Sequence, residues 1–161
     1  PKLMDYVGKN RYLEGYPDAD HVKNDELLTL DCDILIPAAL GGQITKNNAP
    51  DIKASMIFEG ANRPLTNEAD RILNDRKVFI IPDILANAGG VVVSYFEWVQ
   101  DLQAFFWHEK EINDQLRAIM RSAYQSVRTL AKEKKVSNRM AALMLGIGRV
   151  AQCAETRGLR P

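Results

Sequence analysis

Apolar positions change their rhythm along this chain. Three short runs, DILIPAAL at 33–40, SMIFEGAN at 55–62 and KVFIIPD at 77–83, are nearly continuous in apolar residues and end in small residues or proline. That pattern predicts parallel strands covered on both faces. Between the runs the spacing turns helical. Thr45 opens a helical stretch that Pro50 limits, and Thr66 opens a second, with Glu68 and Asp70 in its first turn and Ile72 and Leu73 on its inner side. Strand, helix, strand, helix, strand is half of a doubly wound α/β sheet.

The first thirty residues are polar and connective, with turn chemistry in GKN and GYPDAD and a short helix through Leu27 and Leu28 that Asn24 or Asp25 caps. From Asn87 the chain is helical throughout. Residues 87–107 are apolar nearly all round. The next segment carries Ile112, Leu116, Ile119, Ala123, Val127 and Leu130 at helical spacing, and the last runs from a Ser137 cap to Gly158, with Pro161 beyond. The fold class is therefore α/β, the second half of a Rossmann-like doubly wound parallel sheet followed by long helices. Residues 1–107 form the sheet part and 108–161 the closing helices. The chain starts inside what reads as a structural element, so it is expected to be a piece of a longer polypeptide.

Composition narrows the function classes. Lys plus Arg and Asp plus Glu both number 21, so no basic excess points to nucleic acid or an anionic membrane. No apolar run approaches a membrane span and no charged leader precedes an apolar segment. Cys32 and Cys153 form no CxxC, and His21 and His108 have no ligand cluster at metal spacing. The expectation is reduced thiols, a cytoplasmic setting and no metal.

In an open parallel sheet, ligands bind outside the carboxyl ends of the strands. Here those ends carry Pro37-Ala38-Ala39, Gly60-Ala61-Asn62 and Pro82-Asp83. They either terminate strands or let a flat ligand approach the backbone. The segment NAGGVVVSYFEWVQ at 87–100 adds a geometric argument. If Asn87 caps a helix, Ser94 lies seven residues on, after a turn of about 700°, so it returns to within about 20° of Asn87 and about 10 Å further along the axis. Gly90 and Val91 share that face, which suits a ligand with a ring at one end and a small polar group at the other. The simpler alternatives are that Asn87 is only a cap and that the Ser94 hydroxyl bonds back to the carbonyl four residues earlier. Gly89-Gly90 lowers helix propensity by about 1 kcal/mol per residue, which suggests close backbone packing.

Other candidates carry less. Trp98, Phe105, Phe106 and Trp107 suit a core or an interface better than a stacking platform, since no basic residues interleave them. Glu97 needs a partner if it is buried. Lys132-Glu133-Lys134-Lys135 reads as the wet end of a helix. No G-x-G-x-x-G phosphate fingerprint occurs, and Gly146-Ile147-Gly148 lies inside an apolar helical segment.

Taken together, CDILIPAALGGQIT, IFEGANRPLTNEAD, VFIIPDILANAGGVVVSYFEWVQ and RMAALMLGIGRVAQ resemble, in order and spacing, the hexameric glutamate/leucine/phenylalanine/valine dehydrogenases. The resemblance implies NAD or NADP as cofactor, oxidative deamination of L-glutamate to 2-oxoglutarate and ammonia by hydride transfer, and a homo-hexameric intact protein. It places the backbone of Ala39 against the cofactor, Asn62 at the nicotinamide end, and Asn87 at the nicotinamide and its ribose. Val91 and Ser94 then reach the bound amino acid, with Ser94 donating to its side-chain carboxylate. SYFEW is similar to the glutamate-specific branch.

Departures also stand out. Gly41-Gly42 replaces a frequent Glu-Asn, Leu65 a frequent Thr and Leu143 a frequent aromatic. The family's catalytic lysines, its catalytic aspartate and its phosphate loop have no counterpart in this chain, which alone is expected to be inactive. Two alternatives remain: a non-catalytic module docking on a full-length dehydrogenase, and a dehydrogenase of an aliphatic amino acid.

Overall fold

The computed structural model describes residues 2–158. All three apolar runs form strands, β1 (Ile34–Leu35), β2 (Met56–Phe58) and β3 (Phe79–Ile81), in a parallel sheet of order β1-β2-β3. The strands are shorter than the apolar runs, because each run continues into turns at its carboxyl end. The expectation of cover on both faces fails at β1: Ile34 is 46% and Ile36 60% exposed. β1 is an edge among the described residues, and its outward side has no neighbour there.

Alternation along the strands sorts two cores. Ile57 and Ile80 stand opposite each other in register and face one side, where they join Ile44, Ile52, Ala69 and Leu73. Phe58, Phe79 and Ile81 face the other side, against Leu85, Val127, Ala131 and Ala141. Period-two alternation thus gives each face its own apolar set.

The first face is covered by α3 (Asn67–Asp75), whose Thr66 cap accepts from the Ala69 amide at 3.3 Å. Its inner residue Leu73 is fully buried and Ile72 packs beside it, as the spacing predicts. The helix expected after Thr45 does not form. The Asn48 carboxamide turns back to accept from the Thr45 amide at 2.7 Å and to donate to the Gln43 carbonyl at 2.9 Å. This local competition with the helix leaves only a 3-10 turn, Ala49–Asp51, with Pro50 inside it.

The second face is covered by α4 (Asp83–Ala86), α6 (Glu109–Lys134) and α7 (Asn138–Thr156). The α7 cap, Ser137, accepts from the Met140 amide at 3.2 Å as expected, and Gly158 lies just past its end with φ +70°. The expected Pro161 is outside the described residues. Between α4 and α6 runs α5 (Ala88–Gln103). It stops four residues short of the expected 107, because Ala104 adopts φ 50° and Gln100 accepts from the Trp107 amide at 2.7 Å, closing the turn.

Upstream, GKN is not a turn but the end of α1 (Lys2–Asn10). The chain reverses instead at Arg11 (φ 66°) and Gly15 (φ 80°). α2 (Asn24–Leu28) already starts at Asn24, so the cap falls one residue before the expected ones, at Lys23, whose amide donates to Glu26 at 3.4 Å.

Candidate functional site

The three strand ends meet. The Ala61 amide donates to the Pro37 carbonyl at 2.8 Å, and a Cβ on Gly60 would stand 3.0 Å from that of Ala38. Gly60 therefore lets the 60–63 turn lie against the 37–39 segment. Arg63, the last residue of this turn, takes the left-handed conformation with φ 48°, which disfavours a side chain bearing Cβ. Its amide donates to Asp83 Oδ2 at 2.8 Å, and its carbonyl accepts from the Gly42 amide at 2.8 Å. Asn62, one residue earlier, is left exposed at the tip.

Asn87 occupies the junction of α4 and α5, but its side chain does not cap α5. The carboxamide instead donates to Asn62 Oδ1 at 2.7 Å and to the Gly60 carbonyl at 3.3 Å. Two residues 25 apart in sequence become one paired unit. Among the described residues, the Asn62 amide group and the Asn87 side-chain oxygen have no hydrogen-bond partner, so the pair presents a donor NH2 and an acceptor oxygen.

Along α5, Gly90, Val91 and Ser94 are exposed on the face that helix geometry assigns them, and Val91 is 75% exposed. The close packing expected at the glycine pair is absent. A Cβ on Gly89 would meet only Leu116 at 3.8 Å, and one on Gly90 would meet nothing within 4 Å. The Ser94 hydroxyl has no partner among the described residues, so the bond to the carbonyl four residues earlier is not made. Ala39 is exposed beside the same strand ends. An apolar cleft of about 470 Å³, lined by Ile84, Leu143, Gly146, Ile147 and Val150, lies along α7 and includes none of these residues.

Directly beneath the paired amides is a group of charges that the sequence does not announce. Arg139 on α7 donates through Nε to Asp70 of α3 at 2.9 Å, through Nη1 to Asp83 at 3.3 Å and through Nη2 to Glu59. Glu59 is fully buried and also accepts from the Asp83 amide at 2.8 Å. Burial pushes the Glu59 carboxyl above its ordinary range, against the pull of Arg139 and of the Asp83 amide, and the Asp83 charge adds to the rise. Burial alone would lower Arg139, but the Glu59 and Asp70 carboxylates outweigh it and hold the guanidinium charged.

The only hints in the sequence are a lone Glu between Phe58 and Gly60 and an Arg at the start of a helix that then runs uncharged to Gly148. His21 and His108 are exposed, and among the described residues no cluster of metal-binding side chains occurs. Glu97 is exposed and needs no partner, and Trp98, Phe105 and Phe106 lie on the surface rather than in a core. Among the described residues, no helix is long and apolar enough to cross a membrane.

Residues 1–158 match the model of the Glutamate/Leucine/Phenylalanine/Valine dehydrogenase family. The chain belongs to this family. It is 50% identical over 137 residues to the NAD-specific glutamate dehydrogenase of Staphylococcus aureus (strain COL), covering 85% of this chain and 33% of that relative. The hetero-hexameric glutamate dehydrogenase from Thermus thermophilus, in its Leu-bound form, superposes with a TM-score of 0.91 at 29% identity, covering 99% of this chain and 38% of that one. The glutamate dehydrogenase from Peptoniphilus asaccharolyticus gives 0.80 at 33% identity, covering 99% of this chain and 35% of that one. This member of the family thus spans about a third of the length of the curated relatives it matches.

Proposed function

We propose that the chain is part of an NAD-dependent glutamate dehydrogenase. Residues 1–107 would be the second half of its coenzyme-binding domain, and residues 108–161 the helices that return toward its substrate domain. The observation that carries this reading is the Asn62–Asn87 pair. Its free amide group and free oxygen, at the carboxyl ends of parallel strands, complement a carboxamide, which itself offers an acceptor oxygen and a donor NH2. Nicotinamide ends in that group. Family membership and the 50% identity to an NAD-specific enzyme support the same ligand.

The residues fit the nicotinamide end of the coenzyme. Ala39 offers backbone beside the ring position, Asn62 and Asn87 orient the carboxamide, and the open space over Gly90 admits the ribose side. When bound, the oxidised nicotinamide supplies the hydride acceptor. The chain's own contribution is positioning: holding the ring face toward the Cα–H of the amino acid, which is worth a large share of such a barrier. Val91 packs on the amino acid, and the unpartnered Ser94 hydroxyl donates to its side-chain carboxylate, a group that needs donors once out of water. This chain holds no counterpart of the family's catalytic lysines and aspartate, so the chain alone turns nothing over. The working enzyme is an oligomer, by likeness to the Thermus hexamer.

The test is glutamate-dependent reduction of NAD, with NADP in parallel, by the complete polypeptide that contains this chain. Reduction of NAD with glutamate and little with leucine is expected. Turnover of leucine in preference to glutamate would replace the substrate, and no turnover of any amino acid would sink the enzyme reading in favour of a docking module.

A further inference from the structure

The 60–63 turn is held from beneath by a charge network anchored on the last long helix. The Arg63 amide donates to Asp83 Oδ2. Asp83 is held by Arg139 through its other oxygen and by Glu59 through its amide. Arg139 is held in turn by Asp70 of α3 and by Glu59. The first turn of α7 is fixed to the sheet, because Asn138 donates to the Ile80 carbonyl at 2.7 Å and accepts from Arg128 at 3.2 Å. From above, the turn is limited by Gly41, where a Cβ would stand 2.9 Å from the Asn62 carbonyl.

We infer that Arg139 is a positioning residue for the coenzyme end of the site: through Asp83 it holds the left-handed Arg63 turn, and so sets where Asn62 meets Asn87. The inference rests on the reading of Asn62 and Asn87 as nicotinamide contacts. Arginine suits the task because its planar fork addresses Asp70, Asp83 and Glu59 in three directions at once. A lysine keeps the charge but not the fork. A helix that touches no ligand thereby fixes the geometry of one that does. A small displacement at Asn62 weakens coenzyme binding without altering the Val91 and Ser94 side of α5.

The experiment compares Arg139→Lys, Asp83→Asn and Gly41→Ala in the complete polypeptide. Gly41→Ala pushes the same turn from the exposed side without touching an ion pair. For each variant, KM for coenzyme and for amino acid, kcat, and backbone hydrogen exchange of the 60–66 and 44–52 segments are measured. All three should raise coenzyme KM by about tenfold, the scale expected for misplacing a positioning group by a fraction of an ångström, while amino-acid KM changes less than about twofold. Exchange at 60–66 should quicken in Arg139→Lys and Asp83→Asn, together with that of Ile44, whose amide donates to the Pro64 carbonyl, while the rest of 44–52 stays unchanged.

A lowered melting temperature with wild-type exchange at 60–66 and wild-type coenzyme KM would overturn the inference and leave Arg139 a structural ion pair. So would equal rises in both KM values. If Arg139→Lys does not fold, Asp83→Asn decides alone. If Gly41→Ala raises coenzyme KM but neither ionic variant does, the turn matters and Arg139 does not hold it. An inactive wild type would instead refute the dehydrogenase reading, and the exchange data would still judge whether Arg139 holds the turn.

Discussion

The two faces of the sheet are built on different principles. On the α3 face the cover is dry: Ile44, Ile52, Ile57, Ala69 and Leu73 are all fully buried, and the side chains interlock around β2. On the α6–α7 face the apolar core is thin, with Ile81, Leu85, Val127, Ala131 and Ala141 at its centre. Further along α7 the large side chains are exposed, Ile147 at 68% and Val150 at 71%. What ties α7 down at its amino end is polar, through Arg139 and Asn138. Apolar packing tolerates small shifts at every contact, whereas a forked ion network fixes direction. The dry face therefore supplies stability, and the polar one registers α7 against the strand ends where the candidate site lies.

The largest effect should come from breaking the dry face. Leu73→Ala removes a fully buried side chain from the α3 side, and a well-packed core relaxes only partly around such a gap. A loss of about 3–4 kcal/mol in unfolding free energy is expected from chemical denaturation of the complete polypeptide. A loss below about 1 kcal/mol would show that this face collapses freely, and the contrast with the other face would dissolve.

Much of the fold is legible in the sequence where its signals are local. Apolar runs announce strands, and Thr66 and Ser137 cap the helices their positions imply. The exposed face of Gly90, Val91 and Ser94 follows from helical period alone. Where the reading failed, a partner distant in sequence or a competing local bond decided. Asn87 looked like a cap until the fold brought Asn62 to it from 25 positions away. Asn48 broke the helix after Thr45 by bonding its own turn. Glu59 and Arg139 are 80 residues apart, and Arg139 has no acidic residue three or four positions away to betray its role.

A smaller, pH-dependent effect should separate the polar face from the dry one. The folded Glu59 carboxyl titrates above the ordinary value near 4.5, because burial outweighs its bond to Arg139. A raised carboxyl contributes most to stability below the ordinary value, where it is protonated, and that contribution is lost as pH rises through the folded value. Glu59→Gln removes the titration. Denaturation of both proteins across the acid range should therefore show wild type losing ground to the glutamine variant as pH rises from about 4 toward neutrality, then a constant gap. A gap moving the opposite way would mean that Arg139 dominates and that the carboxylate is stabilised after all. Leu73→Ala, which removes no titratable group, should show no such movement relative to wild type.

The smallest effect on folding is expected at a position whose effect on function is as large as any. Ser94 is exposed and unpartnered among the described residues, so Ser94→Ala removes no internal bond and slightly favours the helix. Its unfolding free energy should stay within about 0.5 kcal/mol of wild type, as for surface positions generally. Glutamate KM should nevertheless rise by about tenfold, the cost of one donor lost to a carboxylate out of water, with coenzyme KM unchanged. This is the mirror image of the split expected for Arg139→Lys. A Ser94→Ala protein that is both destabilised and unaltered toward glutamate would place the hydroxyl in the scaffold rather than in the site. The division between a stabilising face, a registering network and an outward polar pair would then fail at its outermost member.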